Sequence, residues 1–216
     1  MNTPLRVSLD GTPDQSARLH ALQIAFADVC NAIAPVVQQT RCWNRVALHH
    51  LVYHPMRERF PEMGSQMICN AIYSVCRSAR LILQHPKSPW SVAKRPGAPL
   101  PLLRFASNAP VYFDRHTLSL RGTALSMFTL DGRMRFNVGL APDDAARFHA
   151  EKLMEVMLVS TQSGFDLYFE FAEAVSQRKA RPFSTGAYLP DHVHVVPPSA
   201  SSPQERGSLQ TTDAQR

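Results

Sequence analysis

Leu5-Arg6-Val7-Ser8-Leu9-Asp10-Gly11-Thr12-Pro13-Asp14-Gln15 holds a strand, a turn and the start of a helix. Leu5, Val7 and Leu9 alternate with Arg6 and Ser8, the period of a strand with one buried face, and Asp10-Gly11 is a turn pair. Thr12 offers an N-cap hydroxyl, Pro13 suits the first helical position, and Asp14 sits at the positive end of the helix dipole. Beyond them Leu19, Leu22, Phe26, Val29, Cys30 and Ile33 recur at helical steps as one apolar stripe. Pro35 is expected to bend or stop this helix, because it lacks the amide hydrogen that the ladder needs.

Working outward, a second helix is expected over Val46 to Phe60, with Leu48, Leu51, Val52 and Met56 inward and a kink or break at Pro55. Ser65 can cap a third, where Met67, Ile68, Ala71, Ile72, Val75, Ala79 and Ile82 give the clearest helical period, ending before Pro86. A connector rich in Pro, Ser and basic residues follows over 86–99, with Trp90 its one large apolar side chain. The period then shifts to two. Leu103 and Phe105, Val111 to Phe113, Leu118 and Leu120, and Leu125 to Leu130 read as strands, and Asp131-Gly132 reads as a hairpin turn leading to Met134, Phe136 and Val138. Pro142-Asp143-Asp144 opens a short helix, and Met154 to Ser160 and Phe165 to Phe171 form another hairpin around Gln162-Ser163-Gly164. After Ala174 the pattern fades, and Val193, Val195 and Val196 are too few to build an element by themselves. The expected class is α+β: a small antiparallel β-barrel with a helical insertion after its first strand. Its parts are a barrel over 1–12 and 100–174, a helical lobe over 13–85, the connector over 86–99 and a disordered tail over 175–216.

The 216 residues allow one or two small domains, and 44% hydrophobic content excludes a wholly disordered chain. With 17 prolines and 9 glycines, the connections are stiff and a Gly-rich phosphate loop is excluded. The absence of an uninterrupted run of about eighteen apolar residues argues against a membrane span. Met1 to Asp10 lacks an apolar signal core, so the expected location is cytoplasmic. Cys30, Cys42, Cys69 and Cys76 contain no C-x-x-C pair and are expected to be reduced, mostly buried thiols.

Net charge is +6, which favours an anionic partner. Residues 41–95 hold nine basic side chains against Glu58 and Glu62, a local +7, whereas residues 143–173 hold seven acids against Arg147 and Lys152. Arg41, Arg45, Arg77 and Arg80 are candidates for phosphate contact, as are Lys94 and Arg95 in the connector and Arg57 and Arg59, either of which can instead pair with Glu58. Trp43, Tyr53 or Trp90 can stack on bases, and Gln66 can read a base edge or cap the third helix.

The run Asn44-Arg45-Val46-Ala47-Leu48-His49-His50-Leu51-Val52-Tyr53, then Met56-Arg57-Glu58-Arg59-Phe60-Pro61 and Ser65-Gln66-Met67, resembles the N-terminal half of TnpB (OrfB) proteins of insertion sequences, relatives of type V CRISPR effector nucleases. Thr12-Pro13 with Gln15, Cys30-Asn31, Val111-Tyr112-Phe113-Asp114-Arg115, Leu118-Ser119-Leu120 and Thr129-Leu130-Asp131-Gly132-Arg133 extend it, in order, across Leu5 to Glu173. The resemblance implies that the small antiparallel barrel is an oligonucleotide-binding-like β-barrel, the wedge, and that the helical insertion is a recognition lobe, the two together holding a guide RNA and contacting a short DNA motif. Family members continue into a RuvC nuclease domain that opens with an Asp-x-Gly strand and carries a zinc-binding cysteine insertion. Neither follows Ala174 here, and the Asp-Gly pairs at Asp10 and Asp131 are turns.

No other constellation carries catalysis. His50 and His54 have a metal-binding spacing but lack the intervening Glu of a zincin, and His192-x-His194 suits only adventitious chelation. Walker, G-x-S-x-G and G-x-G-x-x-G motifs are absent. The expectation is therefore a non-enzymatic, truncated TnpB-like protein without metal or cofactor. Its expected partner is a structured guide-like RNA, with double-stranded DNA and a separate RuvC-like nuclease chain as further partners that the resemblance suggests. The alternative is a decayed insertion-sequence product, or a protein-interaction module without specific nucleic-acid activity.

Overall fold

A computed structural model describes residues 4–172 and 189–198 as a mixed α+β fold. In chain order its elements are β1 (Leu5–Leu9), α1 (Pro13–Thr40), α2 (Arg45–Arg59), α3 (Ser65–Gln84), β2 (Leu102–Phe105), β3 (Val111–Phe113), β4 (Leu118–Arg121), β5 (Ala124–Thr129), β6 (Gly132–Asn137), α4 (Pro142–Ala150), β7 (Leu153–Thr161), β8 (Gly164–Phe171) and β9 (Val193–Val196). The strand that opens the chain is completed near the far end of the described fold. β1 pairs antiparallel with β8, Val7 opposite Leu167, and the ladder continues through β7 to β3. Arg6 and Ser8 on the polar face of β1 both donate to the buried Asp166, each at 2.8 Å.

The three long helices pack mainly on one another, and α1 and α3 also lie against strands. Thr12 caps α1 in a reciprocal box with Gln15: the Gln15 amide donates to Thr12 Oγ1 at 3.2 Å and the Thr12 amide to Gln15 Oε1 at 2.9 Å. The expected stripe from Leu19 to Ile33 is buried. The helix does not stop at Pro35. Asn31 Nδ2 donates to the Phe105 carbonyl at 2.9 Å and Asn31 Oδ1 accepts the Phe105 amide at 2.8 Å, while Gln38 Nε2 donates to the Leu100 carbonyl at 2.9 Å. Both flanks of Pro35 are thus pinned to one stretch of chain, so packing overrides the missing ladder bond. By length and composition α1 is also the one described helix that could cross a bilayer; its most apolar window has mean hydropathy 1.4 and is 50% buried inside this fold.

In α2, Leu48, Val52 and Met56 face inward as expected, but Leu51 is 49% exposed. The helix runs unbroken through Pro55, which lies on the exposed side, where water can satisfy the freed carbonyl. In α3 every expected core position is buried, although its N-cap is Gly64, one residue before Ser65, without a side-chain cap bond.

The expected closed barrel is not what forms. Among the described residues the strands make three separate antiparallel sheets: β1-β8-β7-β3, β2-β9 and the meander β4-β5-β6. A barrel needs one continuous ladder whose end strands meet. Here the chain leaves β3 through a turn in which Asp114 Oδ1 accepts the amides of His116 and Thr117, and β4 then pairs only with β5. The β5–β6 turn falls one residue earlier than expected. Thr129 faces Gly132, Leu130 and Asp131 form the loop, and Gly132 takes the positive φ of 107°.

The valines set aside as too few are a strand. Val193–Val196 forms β9 because β2 lends it an edge, with Val193 opposite Phe105 and buried. The rest of the expected tail, residues 175–188 and 199–216, lies outside the described residues. A single hydrophobic cluster runs from Leu5 to Val193 through helices and sheets alike.

Candidate nucleic-acid interface

The 51 residues from Met63 to Phe113 contain six Lys or Arg and no Asp or Glu. Such a stretch cannot neutralise itself locally, so each cation must find a carboxylate from elsewhere, stack on a ring, or face solvent. The candidate residues divide along those lines.

Arg77 is drawn inward. Its Nε lies 3.7 Å from Glu155 Oε2, and its guanidinium sits 6.0 Å from the Tyr112 ring centre. Tyr73 donates a short hydrogen bond to the same Glu155 oxygen. Burial pushes the Glu155 carboxyl up, opposed by Arg77 and Tyr73, and its Oε1 has no hydrogen-bond partner. Tyr73 is likewise raised, by burial and then by the Glu155 charge, and Tyr112 is pushed up to about 12, mainly by burial. Burial, the largest single cause, works to lower Arg77, but Tyr112, Glu155, Tyr73 and Glu170 together outweigh it and its pKa rises. These groups fasten α3 to β3 and β7. Arg57 is half-buried and donates to the Met63 carbonyl, closing the α2–α3 corner. Gln66 donates through Nε2 to Asp114 Oδ2 at 2.6 Å, so it is held on the β3–β4 turn instead of presenting a free amide.

The remaining candidates stay at the surface. Asn44 caps α2 by accepting the amides of Val46 and Ala47, which aims Arg45 across the Tyr73 ring at 5.2 Å. Arg80 is exposed one turn beyond Arg77. Burial pushes the Cys76 thiol up to about 11, and the Arg80 and Arg45 charges both pull it back down. Arg41 ends α1 in the left-handed conformation (φ 55°) and donates through Nη1 to the Ala98 carbonyl at 2.9 Å. Lys94 and Arg95 are exposed in the connector, with Arg95 5.2 Å from the Trp90 ring centre. Arg59 is exposed beside Phe60 at 5.4 Å. Tyr53 is half-buried and stacked on His49 at 4.6 Å, in an aromatic row that continues to His54. The structure therefore leaves Arg45 on α2 and Arg80 on α3 exposed, and brings Arg41 and Arg95 together around the connector. It withdraws Arg57, Gln66 and Arg77 into internal contacts.

Sequence reading missed a second basic surface. On the meander, Ser119 faces Ser126 and Ser126 faces Arg135, Arg121 faces Ala124, and Phe128 faces Arg133, so one sheet face carries Arg121, Arg133 and Arg135. All three are exposed. Arg133 Nε donates to Ser126 Oγ at 3.0 Å, and its Nη1 and Nη2 reach the His116 carbonyl at 3.3 Å and the Ser126 carbonyl at 3.3 Å. The signal was the alternation of Arg with Met134 and Phe136, which sets the arginines on the side opposite the core. The nearest acid in sequence, Asp131, is engaged by Arg18 at 2.6 Å, and that bond together with the Thr129 hydroxyl lowers its pKa.

His49, His50 and His54 lie together on α2, but among the described residues no group of three or more His, Cys, Asp or Glu is placed to hold a metal ion. The cysteines are free thiols, Cys30 and Cys76 buried. No family model matches the chain, and no curated protein matches it.

Proposed function

We propose that this protein binds a structured, guide-like RNA and does not cleave it. The observation that carries the reading is the acid-free stretch from Met63 to Phe113, whose exposed cations Arg80, Lys87, Lys94, Arg95 and Arg104 are joined by Arg41 and Arg45 from flanking elements. Guanidinium groups seated on rings and, among the described residues, left without carboxylates suit phosphate contact, because they are preorganised and pay little for desolvating a counter-charge. The resemblance to the N-terminal half of TnpB proteins supports the same reading, since β1, three helices and a return to strands follow the order of wedge and recognition lobe. With it comes the proposal that the β part serves as an oligonucleotide-binding-like surface, even though its strands pair in three sheets. A nuclease domain on a separate chain and a DNA duplex are further partners within this reading.

The competing reading is a relic or protein-binding module whose charge has only structural use. The inward turn of Arg57, Gln66 and Arg77 favours it. Sequencing of RNA that co-purifies with the tagged protein at two salt concentrations separates the two. One enriched structured RNA, kept at the higher salt, is the expected result. A mixed population that washes away as salt rises means unselective phosphate collection and sinks the guide reading.

A further inference from the structure

We propose that Trp90 and Arg95 form a slot for one unpaired nucleobase of the bound RNA. This rests on the RNA-binding reading and adds to it a place and a strand state. Trp90 is half-buried, Arg95 lies 5.2 Å from its ring centre, and the pair lines a hollow with Ala98, Pro99 and Leu100.

The connector that carries them is built rather than slack. The Lys87 amide donates to His85 Nδ1 at 3.1 Å and the Trp90 amide to Ser88 Oγ at 3.1 Å. The amides of Lys94 and Arg95 both donate to the Ser91 carbonyl, and Val92 donates to the Leu83 carbonyl at 2.8 Å. Ser88 and Ser91 are 0% and 1% exposed, which is unusual for serines in a surface loop. Arg41 and Gln38 hold the other wall by donating to the carbonyls of Ala98 and Leu100. The indole is thus fixed, while the side chains of Lys94 and Arg95 are exposed and, among the described residues, paired with no carboxylate. A flat cation over a flat ring is an arrangement that a third flat group can enter, because the guanidinium can swing outward and re-stack on the base. The adjoining phosphates then meet Lys94 and Arg95. A duplex keeps its bases stacked on each other and offers no face, so the slot selects an unpaired segment.

The chain has two tryptophans, so Trp43→Phe leaves Trp90 as the sole indole emitter. Titration of this variant with a mixed-sequence single-stranded RNA of about twelve nucleotides, within the usual site size for such surfaces, should quench the emission, and an RNA duplex should not. In the otherwise wild-type chain, Trp90→Ala should weaken single-strand binding about tenfold, with duplex binding unchanged in filter retention and most of the loss restored by Trp90→Phe. Cross-linking of thiouridine-substituted RNA to the wild-type chain, mapped by mass spectrometry, should mark Trp90 without reliance on any variant's folding. Single-strand binding that leaves Trp90 emission unchanged, or cross-links confined to other residues, overturns the slot and leaves RNA binding standing. Duplex binding without single-strand binding does the same. Retention of neither RNA by the wild-type chain overturns both.

Discussion

The His192 backbone carbonyl accepts the Ala106 amide at 2.9 Å, just ahead of β9, and its imidazole is held down to about 4 from an ordinary 6.5. Burial is the larger cause and the Arg77 charge the second, with Asp191 opposing them. A depressed histidine favours its neutral form in the fold. Its contribution is therefore whole above 6.5 and is lost as the pH falls toward 4, because the unfolded chain takes the proton first. His192 is half-buried, so the loss should be on the order of 1 kcal/mol once solvent screening is allowed for. Urea denaturation at about pH 7 and about pH 5 should show this drop in the wild type and a smaller one in His192→Gln. Glu155 works in the opposite sense. Its raised carboxyl contributes fully below the ordinary value of 4.5, and that contribution is lost as the pH rises through the raised one. An equal drop in His192→Gln would assign the pH dependence to other groups.

At the scale of elements, the helices were the legible part, because a helix's buried stripe is written in a single stretch of sequence. Leu19 to Ile33 and Met67 to Ile82 needed no knowledge of what they pack on. What local reading could not supply was the remote partner. Pro35 looked like a stop because Asn31 and Gln38 hold α1 to residues more than sixty positions away. Asn31→Ala removes both bonds to the Phe105 backbone and should cost about 1–3 kcal/mol, since a buried strand edge is left unpaired; thermal or urea unfolding reads it directly. The same blindness explains the candidate site. Arg45 and Arg80 could be picked from charge alone, but Arg77 was indistinguishable from them until β7 supplied Glu155. Replacing Arg45 and Arg80 together by Ala should lower the slope of log affinity against log salt by roughly 1–2, with little change in stability. Arg77→Ala should instead destabilise the fold, by about 1–2 kcal/mol, and leave the salt slope where it was. The opposite pattern in filter binding and denaturation would reverse the assignment.

For the whole molecule, the pairing order of the strands was the least legible property. Alternation shows that a strand has one buried face, but nothing within Leu5 to Leu9 names Gly164–Phe171 as its partner, and Val193 to Val196 reads as a strand only beside β2. Among the described residues β9 is the sole strand partner of β2, so a chain ending at residue 188 leaves that edge bare over Leu103 and Phe105. Such a chain should unfold about 2 kcal/mol more easily and elute at a larger apparent size through edge-to-edge association, whereas an unchanged elution volume and midpoint would mean that β2 stands without β9. The long reach from β1 to β8 also shapes how the molecule is born. Arg6 must wait for Asp166, 160 residues later. At ribosomal speeds of about 5–20 residues per second that wait lasts on the order of ten seconds. During it, α1 and α3 can already find each other, while the N-terminal strand stays open beside them. Nascent chains on a crowded polysome expose that edge in many copies at once, and each finished chain conceals it only when its own β8 emerges.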